Sequence, residues 1–292
     1  MRTGSGAPPL VAHLAATVSS QRARIEEVLA RAGRLDDERV LHDLRVALRR
    51  TAAVAKLTRG FPEPDSARPL QRTSRDLRRF LSPHRTLEVS AARLRVRFRR
   101  DRGRHAIAVR IATRLGPPPD PKGAARDGDV RLAALRAAFA IRTAELSRFS
   151  RPFAGVVASG TDARLARLVL RRLEKRRTRL LEGGVPDRET LHATRIAAKD
   201  FRYGLELVRG LVPDAAPLLA ALRKFQDTAG DAHDGLELAA IVGRAAKTPG
   251  ERRSFQLLVP ALSRDASRAF LVARREAEEL LARLASFPVR WK

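Results

Sequence analysis

The sequence predicts an all-α protein, and three observations carry that prediction. Apolar residues recur at helical spacing along most of the 292 residues, glycines fall where helices should stop, and one His-centred helical segment occurs twice, at His42 and His192. Helices are expected near 10–33, 37–60, 66–81, 129–157, 161–183, 187–211, 214–230 and 250–285.

Gly33, Gly60, Gly183–Gly184 and Gly210 stand at expected C-termini, where a left-handed residue is favoured. Thr161 or Asp162 suits an N-cap, and Pro62, Pro64, Pro186 and Pro213 punctuate turns. Residues 1–9 read as a tail and 10–288 as one domain built by internal duplication. Half one covers about 10–158 and half two about 160–288, meeting near Ser159–Gly160. The flanks agree: nine positions separate Gly33 from His42, and nine separate Gly183 from His192. R-D-L-R-R-F-L-S-P-H-R-T from Arg75 answers R-K-F-Q-D-T-A-G-D-A-H-D from Arg223.

A basic insertion at 88–128 breaks the symmetry. Within it, residues 93–111 alternate at period two, with Leu94, Val96 and Phe98 on one face and arginines on the other. A D-R-G turn and a second alternation at Ile107, Val109 and Ile111 fit a β-hairpin, with a short amphipathic helix as the alternative. A Gly/Pro-rich linker follows.

The repeated segment carries the chemistry. It reads L-H-D-L-R-V-A-L-R-R from Leu41 and L-H-A-T-R-I-A-A-K-D-F-R-Y from Leu191. With His42 at zero on a helical wheel, Arg45 and Arg49 lie near about 300 and 340 degrees, bordering an apolar stripe of Leu41, Leu44, Leu48 and Ala52. The second copy sets His192, Arg195, Lys199 and Arg202 beside Leu191, Ala198, Phe201 and Leu205. A cationic edge along a core-facing stripe, present in both copies, suits an extended polyanion.

Composition points the same way. The formal charge is +27, from 59 Lys plus Arg against 32 Asp plus Glu, and hydrophobic content of 44% is enough for a folded core. Self-repulsion of that size favours an anionic partner. Only seven of the cations are lysine, and arginine's planar fork matches phosphate oxygens. The absence of cysteine excludes disulfides and thiolate chemistry. No signal peptide or membrane span is expected, so the reading is cytoplasmic.

These residues resemble the CHAD family, the conserved histidine α-helical domain. The resemblance rests on Leu41–Arg50, on Leu191–Tyr203 and on Phe225–Asp234, which carries Q-D-x-x-G-D-x-x-D. It implies two pseudo-twofold-related four-helix bundles around a basic channel or concave face. It also implies non-enzymatic binding of inorganic polyphosphate, often at polyphosphate granules. Carried over residue by residue, the binding set is His42, Arg45, Arg49, Arg50, His192, Arg195, Lys199 and Arg202. Further candidate anion contacts are Arg75, Arg78, Arg171, Lys175, Arg223, Lys224 and His233. Half one departs from the family pattern at Leu81–Thr86, where the usual Gly and Asp are replaced.

No cofactor and no metal are expected: neither repeated helix carries H-x-x-x-H, and no acidic cluster converges with the histidines in sequence. Glu206 is placed to pair with Arg202, and Asp231 and Asp234 to orient cations. The competing function is a nonspecific nucleic-acid binder, but aromatics at 4% are poor for base stacking and no nucleic-acid motif is present. A phosphate-metabolising enzyme is the third class. The chain has neither a P-loop nor an E-x-E-x-K motif.

Overall fold

The structure, a computed structural model, describes residues 10–31, 38–61, 66–115, 130–138, 140, 141, 144, 157–209, 212–246 and 248–289. Every regular element among them is helical. The order is α1 (Leu10–Arg31), α2 (Glu38–Leu57), α3 (Ala67–Phe80), α4 (Ser82–Phe98), α5 (Arg102–Arg114) and α6 (130–138). Then come α7 (Val157–Gly183), α8 (Leu191–Val208), α9 (Ala215–Ala245), α10 (Pro249–Gln256) and α11 (Val259–Ser286). The expected N-terminal tail, the Gly/Pro-rich linker and the stretch 145–156 of the helix expected over 129–157 lie outside the described residues. No described helix is long and apolar enough to cross a membrane.

Local chemistry explains most boundaries. Gly60 (φ +75°) ends α2 and Gly184 (φ +61°) follows α7, both in the left-handed region where a Cβ is costly. Before α8, Asp187 Oδ1 accepts from the backbone N–H groups of Glu189 at 3.0 Å and Thr190 at 2.8 Å. Thr248 and Glu251 form a reciprocal capping box that starts α10.

Three expectations need correcting. The hairpin over 93–111 is two helices, α4 and α5. Leu94 and Phe98, four apart, are fully buried, while Val96 between them is 73% exposed. That is helical spacing, since a strand would have buried all three on one face. Asp101, expected in a hairpin turn, instead caps α5 by accepting from the Arg104 N–H at 3.0 Å. The helix expected over 214–230 runs on to Ala245. Gly230 and Gly235 do not break it, because both mark close packing: a Cβ on Gly235 would lie 3.0 Å from Ala266 Cβ of α11. The long helix expected over 250–285 is split into α10 and α11, with Pro260 in the first turn of α11.

The main apolar core draws on both halves. Leu14, Val18, Leu44, Leu48, Leu70 and Leu77 bury beside Leu165, Leu173, Phe201, Leu222, Phe225 and Leu280 in one cluster. A second cluster gathers Leu94 and Phe98 of α4, Ile111 of α5, Val242 of α9, Phe255 of α10 and Leu262 of α11. The insertion is thus packed on second-half helices, with α9 and α11 reaching both clusters.

Candidate functional site

The site begins with the amphipathic register of α2 and α8. Each buries its apolar stripe, Leu44 and Leu48 in one, Leu191, Ala198, Phe201 and Leu205 in the other, and the two helices pack side by side. The register of each helix then brings its cationic edge to the same seam. The positive field of Arg49 on α2 reaches Lys199 on α8, together with those of Arg195 and Arg202.

Arginines of α7 hold this pairing from behind. Arg172 Nη1 donates to the backbone carbonyl of Leu57 at 2.8 Å and so caps the last turn of α2. Arg176, buried at 9% exposure, donates to the carbonyl of Asp200 at 3.4 Å. Burial pulls its guanidinium pKa down, with Asp200 opposing. Lys56 of α2 forms an ion pair with Asp200 of α8 across the seam. Gly204 admits the Arg176 side chain, since a Cβ there would lie 2.5 Å from Arg176 Nη1.

The cations themselves are tethered by backbone carbonyls. Arg45 Nη1 donates to Leu81 O at 2.8 Å and Arg49 Nε to Arg45 O at 3.3 Å. Arg195 Nε donates to Gln226 O at 3.3 Å, and its guanidinium occupies the notch left by Gly230, where a Cβ would lie 2.9 Å from Nη2. Arg202 lies 3.7 Å from Glu206, as its spacing predicted, and its guanidinium sits over the Tyr203 ring at 4.8 Å. Tyr203 itself is buried.

Three pKa shifts reflect burial together with the crowding of positive charge. Lys199 is pushed from 10.5 to about 7, first by burial and then by Arg195, Arg49 and Arg202, with Asp234 opposing. Arg78 of α3 is lowered too, by burial first and then by Arg49 and Arg79. His192 moves down, through burial and then the neighbouring His233 and Arg195. Its imidazole therefore favours the neutral form.

The structure therefore brings together Arg49, Arg195, Lys199 and Arg202 of the expected set and adds Arg78, while Arg45, one turn before Arg49 on α2, is held by the Leu81 carbonyl. His42 and Arg50 are exposed on α2, and His192 is exposed at the start of α8. Arg223 pairs with Glu206 at 3.2 Å and so stands near Arg202. Lys224 turns to α11, where it meets Glu276 at 2.8 Å. Arg75 is exposed, 3.9 Å from Asp76, and Arg171 and Lys175 are exposed on α7. His233 lies against His192 with ring centroids 4.2 Å apart. The replaced positions after Leu81 are helical in backbone.

Sequence reasoning missed two participants. Arg93 of α4, read as one of a strand's solvent-facing arginines, bonds Asp234 at 2.9 Å and approaches Asp231 at 3.6 Å, so the insertion touches the site's rim. Gln226 is buried at 3% exposure with neither side-chain polar atom hydrogen-bonded among the described residues. Its place in the F-Q-D motif was the available signal. Asp234 and Glu237 lie together with His233, a histidine outside the two repeated helices that the metal argument from sequence concerned.

A solved structure titled PptA from Streptomyces chartreusis aligns with a TM-score of 0.60 at 16% identity, covering 94% of this chain and 100% of that one. The crystal structure of the CHAD domain from the plant Ricinus communis aligns at 0.65 and 20% identity, covering 100% and 99%. At those identities the likeness establishes the fold. No curated protein sequence matches significantly. The CHAD domain family matches residues 12–243, which include α2, α8 and most of α9; the chain belongs to the CHAD domain family.

Proposed function

We propose that this protein binds inorganic polyphosphate, without chemistry, along the seam between α2 and α8. Arg45, Arg49, Arg78, Arg195, Lys199 and Arg202 are its principal contacts, and His42 and His192 stand at its margin. The supporting observation is the burial of Lys199 among like charges, which together depress it to about 7. A protein gains nothing in stability from packing cations where one of them loses its proton, whereas a polyanion would relieve the repulsion. Arginine forks can each bridge neighbouring phosphate oxygens. Family membership supports the same ligand, and the protein would be recruited to polyphosphate granules through it.

The test is a competition titration near physiological salt. Labelled long-chain polyphosphate is challenged with duplex DNA at equal phosphate concentration, using the native chain and an Arg45/Arg49/Arg195/Lys199→Ala variant. Polyphosphate should win and the variant should lose it, with a steep salt dependence from counterion release. Equal competition by DNA with an unaffected variant would leave a nonspecific polycation and remove the assignment.

A further inference from the structure

We infer that Lys199 is a reversible covalent capture site for small phosphate-bearing aldehydes. Arg49, Arg195 and Arg202 hold the phosphate while Lys199 Nζ forms an imine with the carbonyl carbon. Arg195 lies one turn before Lys199 on α8 and Arg202 three residues after it, so the three share one edge of the helix. Arg49 meets them from α2 across the seam. Lys199 is half-buried, and its amine has neither a hydrogen bond nor an ion pair among the described residues.

The other described lysines are placed differently. Lys56 pairs with Asp200, Lys224 pairs with Glu276 at 2.8 Å, and Lys175 is exposed on α7. The carboxylate whose field reaches Lys199, Asp234 of α9, is already engaged by Arg93 at 2.9 Å. On α7, Arg172 and Arg176 turn to the backbone carbonyls of Leu57 and Asp200.

An amine so placed is a nucleophile. Burial first, and then the three guanidinium groups, bring its pKa to about 7. At pH 7.5 that leaves about three-quarters of it neutral, against about one in a thousand of an ordinary lysine. Desolvation and neighbouring cations are the two devices that make a lysine a Schiff-base former. In a phosphate-bearing aldehyde several bonds separate the phosphate from the carbonyl. The charge therefore falls on the arginine forks, and Nζ meets an uncharged carbon. Burial, the larger cause of the shift, persists, so the amine stays reactive once the phosphate is seated. A polyphosphate, anionic at every link, instead restores the ammonium and closes the site to aldehydes.

The step is balanced. The Nζ lone pair adds to the carbonyl carbon, a proton passes from nitrogen to oxygen, and loss of water from the carbinolamine gives the C=N bond. Aldehyde and amine yield imine and water, with no change in oxidation state and no further reactant. Aldehyde capture uses the same cationic seam as polyphosphate but does not require that polyphosphate be its ligand.

The probe is pyridoxal 5′-phosphate, a phosphate-bearing aldehyde, compared with pyridoxal, which lacks the phosphate. Each is added to the full chain at pH 7.5, borohydride traps the imine, and peptide mass spectrometry measures label at every lysine. A less basic amine is also a weaker nucleophile, which offsets part of the gain in neutral fraction. Lys199 should still label at least about tenfold faster than Lys175. Without the charge-assisted contacts of the phosphate, pyridoxal should label Lys199 at least about tenfold more slowly. Labelling of Lys199 should level off above about pH 8, whereas that of an ordinary lysine keeps rising toward about pH 10. Lys199→Arg keeps the charge and should abolish the fast, phosphate-dependent label. Capture is overturned if Lys199 labels no faster than Lys175, or if pyridoxal labels it as fast as the phosphate form. Added polyphosphate should protect Lys199. Phosphate-dependent labelling that polyphosphate leaves untouched would instead remove polyphosphate from the seam and leave aldehyde capture standing.

Discussion

Lys199 should make polyphosphate binding depend on pH in a way that can be assigned to one side chain. In the empty site its pKa is about 7 instead of 10.5. Groups facing it are Arg49 from α2, Arg195 and Arg202 from α8, and Asp234 from α9, with Arg78 of α3 beside Arg49. A bound phosphate would reverse the balance and restore the ammonium, so binding takes up a proton wherever the free amine is neutral. Linkage then gives a weakening of about tenfold in affinity between pH 6 and pH 8, or ~1.4 kcal/mol.

Arginine stays protonated throughout, so Lys199→Arg should bind with little slope across that range. His192, shifted down in the empty site, adds its slope at more acid pH, and the arginine variant separates the two. Calorimetry in two buffers of different ionisation enthalpy should count about half a proton taken up at pH 7 by the native protein and far less by the variant. A native affinity flat from pH 6 to 8, or an equal slope in Lys199→Arg, would refute the reasoning.

The same shift has a stability consequence of opposite sign to the usual lysine. The folded pKa lies below the unfolded one, so the penalty is fully present below pH 7 and disappears as pH rises through 7 to 10.5. The full shift, 10.5 to about 7, corresponds to roughly 5 kcal/mol; solvent screening at this partly exposed side chain leaves about 2 kcal/mol. Lys199→Met should therefore raise stability at pH 6 and make little difference at pH 10.5.

Two substitutions probe the packing around the seam. Gly230→Ala adds a Cβ 2.9 Å from Arg195 Nη2, the flexible end of a side chain. Chemical unfolding should show stability kept or raised by up to ~1 kcal/mol through helix propensity, while polyphosphate affinity falls as the guanidinium is displaced. Gly204→Ala meets Arg176 Nη1 at 2.5 Å and Leu173 Cδ2 at 2.8 Å, inside the α7–α8 contact. Overpacking there should cost about 1–3 kcal/mol in a denaturant titration.

Helices were legible wherever a single period ran uninterrupted between glycine and proline signals, as in α1, α2, α7 and α8. The misreadings have two causes. Over residues 93–111, period two and period 3.6 both place Leu94 and Phe98 together, and only the exposure of Val96 separates them. The helix expected from 214 stopped at Gly230, yet the reason for a glycine there, as at Gly235, lies on a neighbouring helix. Here Arg195 and Ala266 occupy the space their side chains would have filled.

Periodicity within one helix was enough to place His42, Arg45 and Arg49 on one edge, and Arg195, Lys199 and Arg202 on another. Those are relations among residues a few positions apart, set by the pitch of the helix. That the two edges meet is a different kind of fact. It depends on α7 reaching behind both helices through Arg172 and Arg176, on Lys56 pairing with Asp200, and on Arg78 arriving from α3. The lowered pKa of Lys199 and the approach of His233 to His192 exist only once those helices are packed. Coulomb and burial effects act through space, and no spacing along the chain encodes them.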